Sequence, residues 1–235
     1  MDVLGDAIFD YQQGLYTEDI ITKSSLDEED VIPLTHLFRD FEAMPALEQK
    51  ALNLCKGKVL DIGCGAGSHS LYLQEKGFEV TALDFSKGAV ATTRLRGIEN
   101  SIHSDILNYK ENQFDTLLLL MNGIGLAGEL KNLGGFLSHL KKLLKPGGQI
   151  LLDSSDIIYM FDEDDDGGRW IPTHQEYYGE VTYTMSYKNI ESEPFTWLYL
   201  DQNTLKRAAN TNHFNCEIVS LGEHFDYLAR LTLKK

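Results

Sequence analysis

The chain has little cysteine, little positive charge and no long apolar run, and each shortage excludes something. Three cysteines in 235 residues, Cys55, Cys64 and Cys216, are too few and odd in number for a disulfide framework. They read as reduced thiols, as expected of a cytoplasmic protein. Lysine and arginine total 21 against 36 aspartates and glutamates, a formal net charge of −15. So acidic a protein repels phosphate backbones, and nucleic acid is not expected as a partner. No unbroken apolar run is longer than that of Leu117–Met121, which falls far short of the ~18 residues of a membrane span. The opening Met-Asp-Val-Leu-Gly-Asp has no basic segment, so no secretory leader and no membrane association are expected.

What is present is ordinary for a globular protein, with 43% hydrophobic and 24% charged residues. The length fits one α/β domain with an elaboration. Val3, Leu4, Ala7, Ile8 and Tyr11 recur at helical spacing, with Gly14 as a stop. Residues 15–42 read as irregular, and the acidic run Asp27–Asp30 as a solvated loop. Pro45 opens a second helix that buries Leu47, Ala51 and Leu52. Residues 1–50 therefore read as an N-terminal helical extension to a main domain over 51–235.

From Lys58 strands and helices alternate. Strands are expected at Lys58–Ile62, Phe78–Leu83, Ser101–His103, Thr116–Met121 and Gln149–Asp153. Helices are expected at Ser68–Lys76, Lys87–Arg96 and Leu133–Leu144. Thr116–Met121 has no polar alternation, as in a parallel strand covered on both faces. This order predicts a doubly wound parallel sheet. The rhythm then breaks. Five consecutive acids, Asp162–Asp166, precede a strand-like stretch over 176–188 and a returning strand at Phe195–Leu200. Residues 156–200 thus form a β-rich insertion. A helix at Thr204–Asn212 and a strand pair, Cys216–Leu221 and Tyr227–Leu233, close the chain.

The segment that carries chemistry is Val59-Leu60-Asp61-Ile62-Gly63-Cys64-Gly65-Ala66-Gly67, between a strand and a helix. Glycines at 63, 65 and 67 admit positive φ and close approach of a ligand to backbone. Asp61 sharpens the reading. A dinucleotide brings a pyrophosphate, which seeks amides at a helix N-terminus and is repelled by a carboxylate. A cationic ligand is attracted by it. Ser68 also stands where the dinucleotide pattern has its third glycine.

With these residues the chain resembles the class I S-adenosylmethionine-dependent methyltransferases over roughly Lys58 to Asp153. The resemblance implies a Rossmann-like, mostly parallel seven-stranded sheet with an antiparallel last strand. It implies that Asp61, Gly63, Cys64 and Gly65 form the first cofactor motif, with Cys64 contributing backbone rather than a reactive thiol. Asp84, closing the second strand, would accept from both ribose hydroxyls, and Phe85 would pack on adenine. Asp105 would accept from the adenine amino group with Ile106 covering the ring. Met121, at the end of the fourth strand in Met121-Asn122-Gly123, would contact the methionine part. Leu144-Lys145-Pro146-Gly147-Gly148 matches the turn before the fifth strand.

The cofactor motif names no catalytic residue, because an in-line displacement from a sulfonium needs a base only for a protonated, weakly acidic acceptor. Candidate bases are His36, His174, His224, Glu223 and the tyrosines of 177–187. Arg39 is a candidate partner for a carboxylate, though a surface ion pair is the plainer expectation. The stretch after the fourth strand, Asn122-Gly123-Ile124-Gly125, lacks an Asn/Asp-Pro-Pro-aromatic motif, and no Pro-Cys pair is present; both point away from nucleic-acid bases. No metal site is expected, and Asp162–Asp166 reads as a solvated loop. The expected function is methyl transfer to nitrogen, oxygen or carbon of a small molecule. Alternatives are a protein methyltransferase, a non-catalytic S-adenosylmethionine-binding regulator and a nicotinamide-dependent oxidoreductase. Residues 1–50 and 156–200 are expected to form a substrate lid; a dimer interface is the other role open to the Tyr-rich hairpin, and the protein is expected to be a monomer or homodimer.

Overall fold

A computed structural model describes residues 1–111, 113–163, 168, 169, 171 and 176–234. The N-terminal part contains α1 (Val3–Gln12), β1 (Ile20–Ser24), β2 (Glu29–Ile32), α2 (Leu34–Leu37) and α3 (Ala46–Leu54). Next come β3 (Val59–Ile62), α4 (Ser68–Glu75), β4 (Val80–Asp84), α5 (Lys87–Leu95), β5 (Ser101–His103), β6 (Phe114–Leu119), α6 (Leu130–Lys142) and β7 (Leu144–Ser155). The last third holds β8 (Glu180–Tyr187), β9 (Ile190–Glu191), β10 (Phe195–Leu198), α7 (Gln202–Thr211), β11 (Phe214–Leu221) and β12 (Asp226–Leu233).

Seven strands form the main sheet in the order β11-β12-β7-β6-β3-β4-β5. The pairs β3–β4, β3–β6, β4–β5 and β6–β7 are parallel. β12 runs antiparallel to both of its neighbours, β7 and β11. The expected doubly wound sheet with an antiparallel last strand is therefore present. Its apolar strands serve two cores, because side chains alternate between faces. Leu117 and Leu119 pack with Leu60, Phe136, Leu140 and Leu205 on the α6–α7 side. Leu118, between them, packs with Leu52, Leu73 and Leu151 on the α3–α4 side.

The N-terminal extension is not purely helical, a correction to the sequence reading. Residues 20–24 and 29–32 are strands, and the acidic run straddles their turn, with Glu29 and Asp30 inside β2. Neither strand announces itself locally: the hairpin they form, Ile20 opposite Ile32, is completed by a remote strand. β1 pairs with β8 in the insertion, Ile21 opposite Ser186 and Lys23 opposite Thr184. Together they build a second antiparallel sheet, β10-β8-β1-β2, with β9 on β8. The two expected additions are thus one object, a small sheet over the end of the large one.

The small sheet is anchored through α1. Asp2 caps α1 by accepting from Gly5 N at 3.1 Å. Its second oxygen accepts from Ser86 Oγ at 2.8 Å and Gly88 N at 3.1 Å, at the start of α5. The two helices touch at glycines: a Cβ on Gly88 would lie 2.3 Å from the carbonyl carbon of Gly5. Val3, Ala7, Ile8, Ile20, Ala89 and Tyr187 close this third core.

Candidate active site

The strand-to-helix turn after β3 is the centre of the site. Gly63, Gly65 and Gly67 all have positive φ, at 73°, 53° and 82°. A Cβ on Gly65 would meet nothing within 4 Å, so its backbone faces open space rather than protein. Asp61 lies beneath the turn, 2% exposed, and accepts from Ser70 Oγ at 2.6 Å. Burial raises its pKa against the opposing pull of His69 and Ser70. A buried carboxylate so sparsely solvated favours a cation nearby. At the end of β4, Asp84 accepts from Gly65 N and Ser86 N, both at 2.9 Å. Burial raises this carboxyl also, with the two amides working against it. Cys64 is buried and its thiol is pushed well up by burial, so it is no thiolate.

Two cavities meet at this turn, and Ile62, Gly63 and Leu126 line both. The smaller, about 250 Å³, is lined by Asp84, Phe85, Ser104, Asp105 and Ile106 among others, and none of its lining residues is basic. Phe85 is 67% exposed there, which excludes a plain core role. Asp105 uses one oxygen to accept from Leu107 N at 2.8 Å. The larger cavity, about 380 Å³, runs from Asp61, Gly63, Cys64 and Gly65 to the inner face of the small sheet. All nine residues singled out for the cofactor line one cavity or the other, Met121 being in the larger.

The wall facing the glycine turn comes from the small sheet. Alternation along β8 points Tyr183 and Met185 inward, and β10 adds Phe195 and Trp197. Tyr183 and Tyr199 share a hydroxyl hydrogen bond of 3.0 Å. Burial raises the Tyr183 pKa; the bond to Tyr199 opposes this, while Glu28, Tyr159 and Asp30 add to it. The remaining tyrosines of the stretch are held within the chain: Tyr177 on Asp201, Tyr178 on Asp156 and Tyr187 on Asp10.

The floor at the end of β6 is strained. Met121 and Asn122 have φ of 62° and 56°, consecutive left-handed residues without glycine. Asp153 on β7 holds the turn, accepting from Asn122 N at 2.8 Å and Gly123 N at 3.4 Å.

The candidate bases fare differently. Glu223 and His224 are exposed, and neither lines either cavity. His36 lies outside both cavities, its pKa lowered by burial and by Arg39. His174 and residues 164–166 of the acidic run lie outside the described residues. Among the described residues no group of three or more His, Cys, Asp or Glu is arranged to hold a metal. Arg39 corrects the surface expectation. It is 8% exposed, lines the larger cavity and pairs with Glu48, itself 5% exposed. His69, which sequence reasoning passed over, completes the group by bonding Glu48 at 2.7 Å and also lines the cavity. The available signal was its place in the first turn of the helix after the glycines.

Residues 60–152 match the family model described as a methyltransferase domain. A solved S-adenosylmethionine-dependent methyltransferase from Bacteroides fragilis, in complex with S-adenosyl-L-homocysteine, is 42% identical. It covers 100% of this chain and 95% of its own, with a TM-score of 0.92. A sugar N-methyltransferase from Streptoalloteichus shares the fold at 15% identity, covering 84% of this chain and 89% of that one, with a TM-score of 0.60. The ubiquinone biosynthesis O-methyltransferase of Xanthomonas oryzae is 29% identical over 110 residues, 44% of this chain and 45% of that protein. The chain thus aligns with less than half the length of such curated relatives. No helix among the described residues is long and apolar enough to cross a membrane.

Proposed function

The chain belongs to the S-adenosylmethionine-dependent methyltransferases, and from that premise we propose that it methylates a nitrogen, oxygen or carbon of a small molecule in the cytoplasm. The observation that carries this reading is the pair of cavities joined at Ile62, Gly63 and Leu126, with a buried carboxylate at each. The residues fit the cofactor. Asp84, Phe85, Asp105 and Ile106 take the adenosine in the smaller cavity, with acceptor oxygens for hydroxyls and an exposed ring for the base. Asp61 and the Gly63–Gly65 backbone take the cationic methionine end, and Met121 flanks it. Asp61, buried beneath the glycine turn where a dinucleotide's pyrophosphate would sit, argues against such a cofactor.

When bound, S-adenosylmethionine supplies a methyl group on a good leaving group. The chain's own task is to orient the acceptor and exclude water. Residues 1–50 and 156–200 do this together, as their strands share one sheet whose inner face walls the cavity. This reading favours a cap over a dimer interface, since the tyrosines that would need covering are bonded within the chain. The aromatic-walled cavity of about 380 Å³ suits a small acceptor better than a protein segment.

A calorimetric titration with S-adenosylhomocysteine, with NAD(H) as control, tests the cofactor. Labelled methyl transfer into a deproteinised metabolite extract then tests the acceptor class. Selective binding with label in small molecules supports the proposal. Binding of NAD(H) alone, label confined to added protein, or tight binding without any transfer would each replace it with a different function.

A further inference from the structure

Three buried ionisable side chains, two of them (Arg39 and His69) lining the larger cavity and the third (Glu48) behind them, have no part in the reading above. Arg39 Nη2 meets both oxygens of Glu48 at 2.5 Å, and Glu48 Oε2 meets His69 Nε2 at 2.7 Å. All three residues are less than a tenth exposed. Burial alone would raise the Glu48 carboxyl, but the bonds and charges of His69 and Arg39 outweigh it and hold it below its ordinary value. Glu48 is therefore a carboxylate, which can only accept, so His69 Nε2 carries the hydrogen and donates it. In the neutral ring the lone pair then sits on Nδ1. That nitrogen has no hydrogen-bond partner among the described residues and is not among the buried polar atoms sealed off from space. His69 lines the cavity together with Asp61 and Gly65.

We propose that His69, oriented by Glu48, is the general base that takes a proton through Nδ1 from the O–H or N–H of the methyl acceptor. This rests on the methyl-transfer reading of the same site. The step balances. The acceptor's lone pair forms the bond to the methyl carbon, the carbon–sulfur bond breaks with its electron pair passing to sulfur, and the acceptor's proton passes to Nδ1. One positive charge is conserved: a sulfonium becomes a neutral thioether and the imidazole becomes an imidazolium. The surroundings suit that charge. Glu48 from α3, Asp61 from β3 and, where it is ionised, Asp153 from β7 act on it, against Arg39 ahead of α3; Ser70, its neighbour on α4, is occupied by Asp61. The arrangement of nucleophile, base and orienting carboxylate follows the logic of hydrolase triads, with the acceptor as the nucleophile.

The competing role is to hold the methionine end of the cofactor, and the test separates the two. Full-length wild type, His69→Gln and Glu48→Gln are compared by S-adenosylhomocysteine calorimetry and by labelled methyl transfer into a deproteinised metabolite extract across the neutral pH range. In His69→Gln the new amide keeps an N–H for Glu48. The expected result is unchanged affinity with transfer reduced about 10²-fold or more, and a pH–rate profile flatter than that of the wild type. Affinity that falls in step with transfer overturns the proposal, because His69 then holds the cofactor. ¹⁵N NMR of the histidine-labelled wild type with S-adenosylhomocysteine needs no variant to fold: a protonated Nε2 with a pyridine-type Nδ1 is expected, and an Nδ1–H tautomer overturns the assignment. Wild type that binds but labels no small molecule sinks the underlying methyl-transfer reading, while the tautomer still decides whether the dyad is built as stated.

Discussion

The indole Nε1 of Trp197 donates to the backbone carbonyl of Asn122 at 3.1 Å. Trp197 belongs to β10 of the small sheet, and Asn122 to the strained turn at the end of β6. The cap is thereby pinned to the floor of the chamber beside the glycine turn. The indole also closes over Gly125, where a Cβ would lie 2.0 Å from Nε1.

Trp197→Phe keeps most of the ring and removes the bond. It should cost about 1 kcal/mol in urea unfolding, leave S-adenosylhomocysteine affinity unchanged and raise the KM for the acceptor. A matching loss of cofactor affinity would place Trp197 at the wrong end of the cavity.

Asp84 has two duties, and substitution separates them. Asp84→Ala should weaken S-adenosylhomocysteine by roughly 1–3 kcal/mol, through lost charge-assisted hydrogen bonds to the ribose. It also strips an acceptor from Gly65 N and Ser86 N, so the protein itself should melt earlier. Asp84→Asn keeps the volume and one acceptor oxygen; it should lose affinity with a smaller loss of stability. Calorimetry beside urea unfolding reads both, and unchanged affinity in both variants would mean that the ribose site lies elsewhere.

The residues around Asp61–Gly67 were legible in the sequence because the signal is dense and local: three glycines, an acid and a strand-to-helix switch within one short segment. Asp84 followed because it closes a strand that the hydrophobic pattern reveals, and Asp105, two residues beyond β5, came from the resemblance. β1 and β2 were not legible. β1 rests on β8, far along the chain, and β2, paired on β1, is Glu29-Asp30-Val31-Ile32, with three of four residues exposed. The same remoteness hid Arg39. A lone arginine between aromatics gives no sign that Glu48 and His69 will converge on it, and burial of a charge is a tertiary fact.

Removing residues 1–40 would take β1 out of the small sheet and Arg39 from Glu48, so it does not isolate the lid. Gly88→Ala is more selective. Alanine gains under about 1 kcal/mol of helix propensity over glycine, but its Cβ would fall 2.3 Å from the Gly5 carbonyl carbon, and backbone cannot swing aside. The clash wins: a net loss of about 1–3 kcal/mol is expected. α1 should lift off α5, carrying Leu4 out of the cavity wall. Limited proteolysis should then cut the segment between α1 and β1 faster, while the main sheet stays resistant. Equal cleavage rates would show that α1 is not held by this glycine contact.

Asp153 makes stability depend on pH in an unusual direction. It lies half-buried beneath the Met121–Asn122 turn, and burial, reinforced by the charge of Glu48, raises its pKa from 3.8 to about 7 against the pull of the Gly123 and Asn122 amides. A carboxyl raised in the fold binds its proton more tightly there than in the unfolded chain. Its contribution is therefore fully present below pH 3.8 and is lost as pH rises to about 7. At full extent the loss is on the order of 4 kcal/mol. Asp153→Asn still offers an oxygen to Asn122 N and Gly123 N and never ionises. Other titrating groups are common to both proteins and cancel in the difference. The variant should gain on wild type steadily as pH rises through this window and hold a constant lead above it, as read by urea unfolding in acetate, phosphate and Tris buffers. A constant gap between the two proteins from the acid to the alkaline end would mean that Asp153 is ionised throughout and that the strained turn is held by a permanent charge.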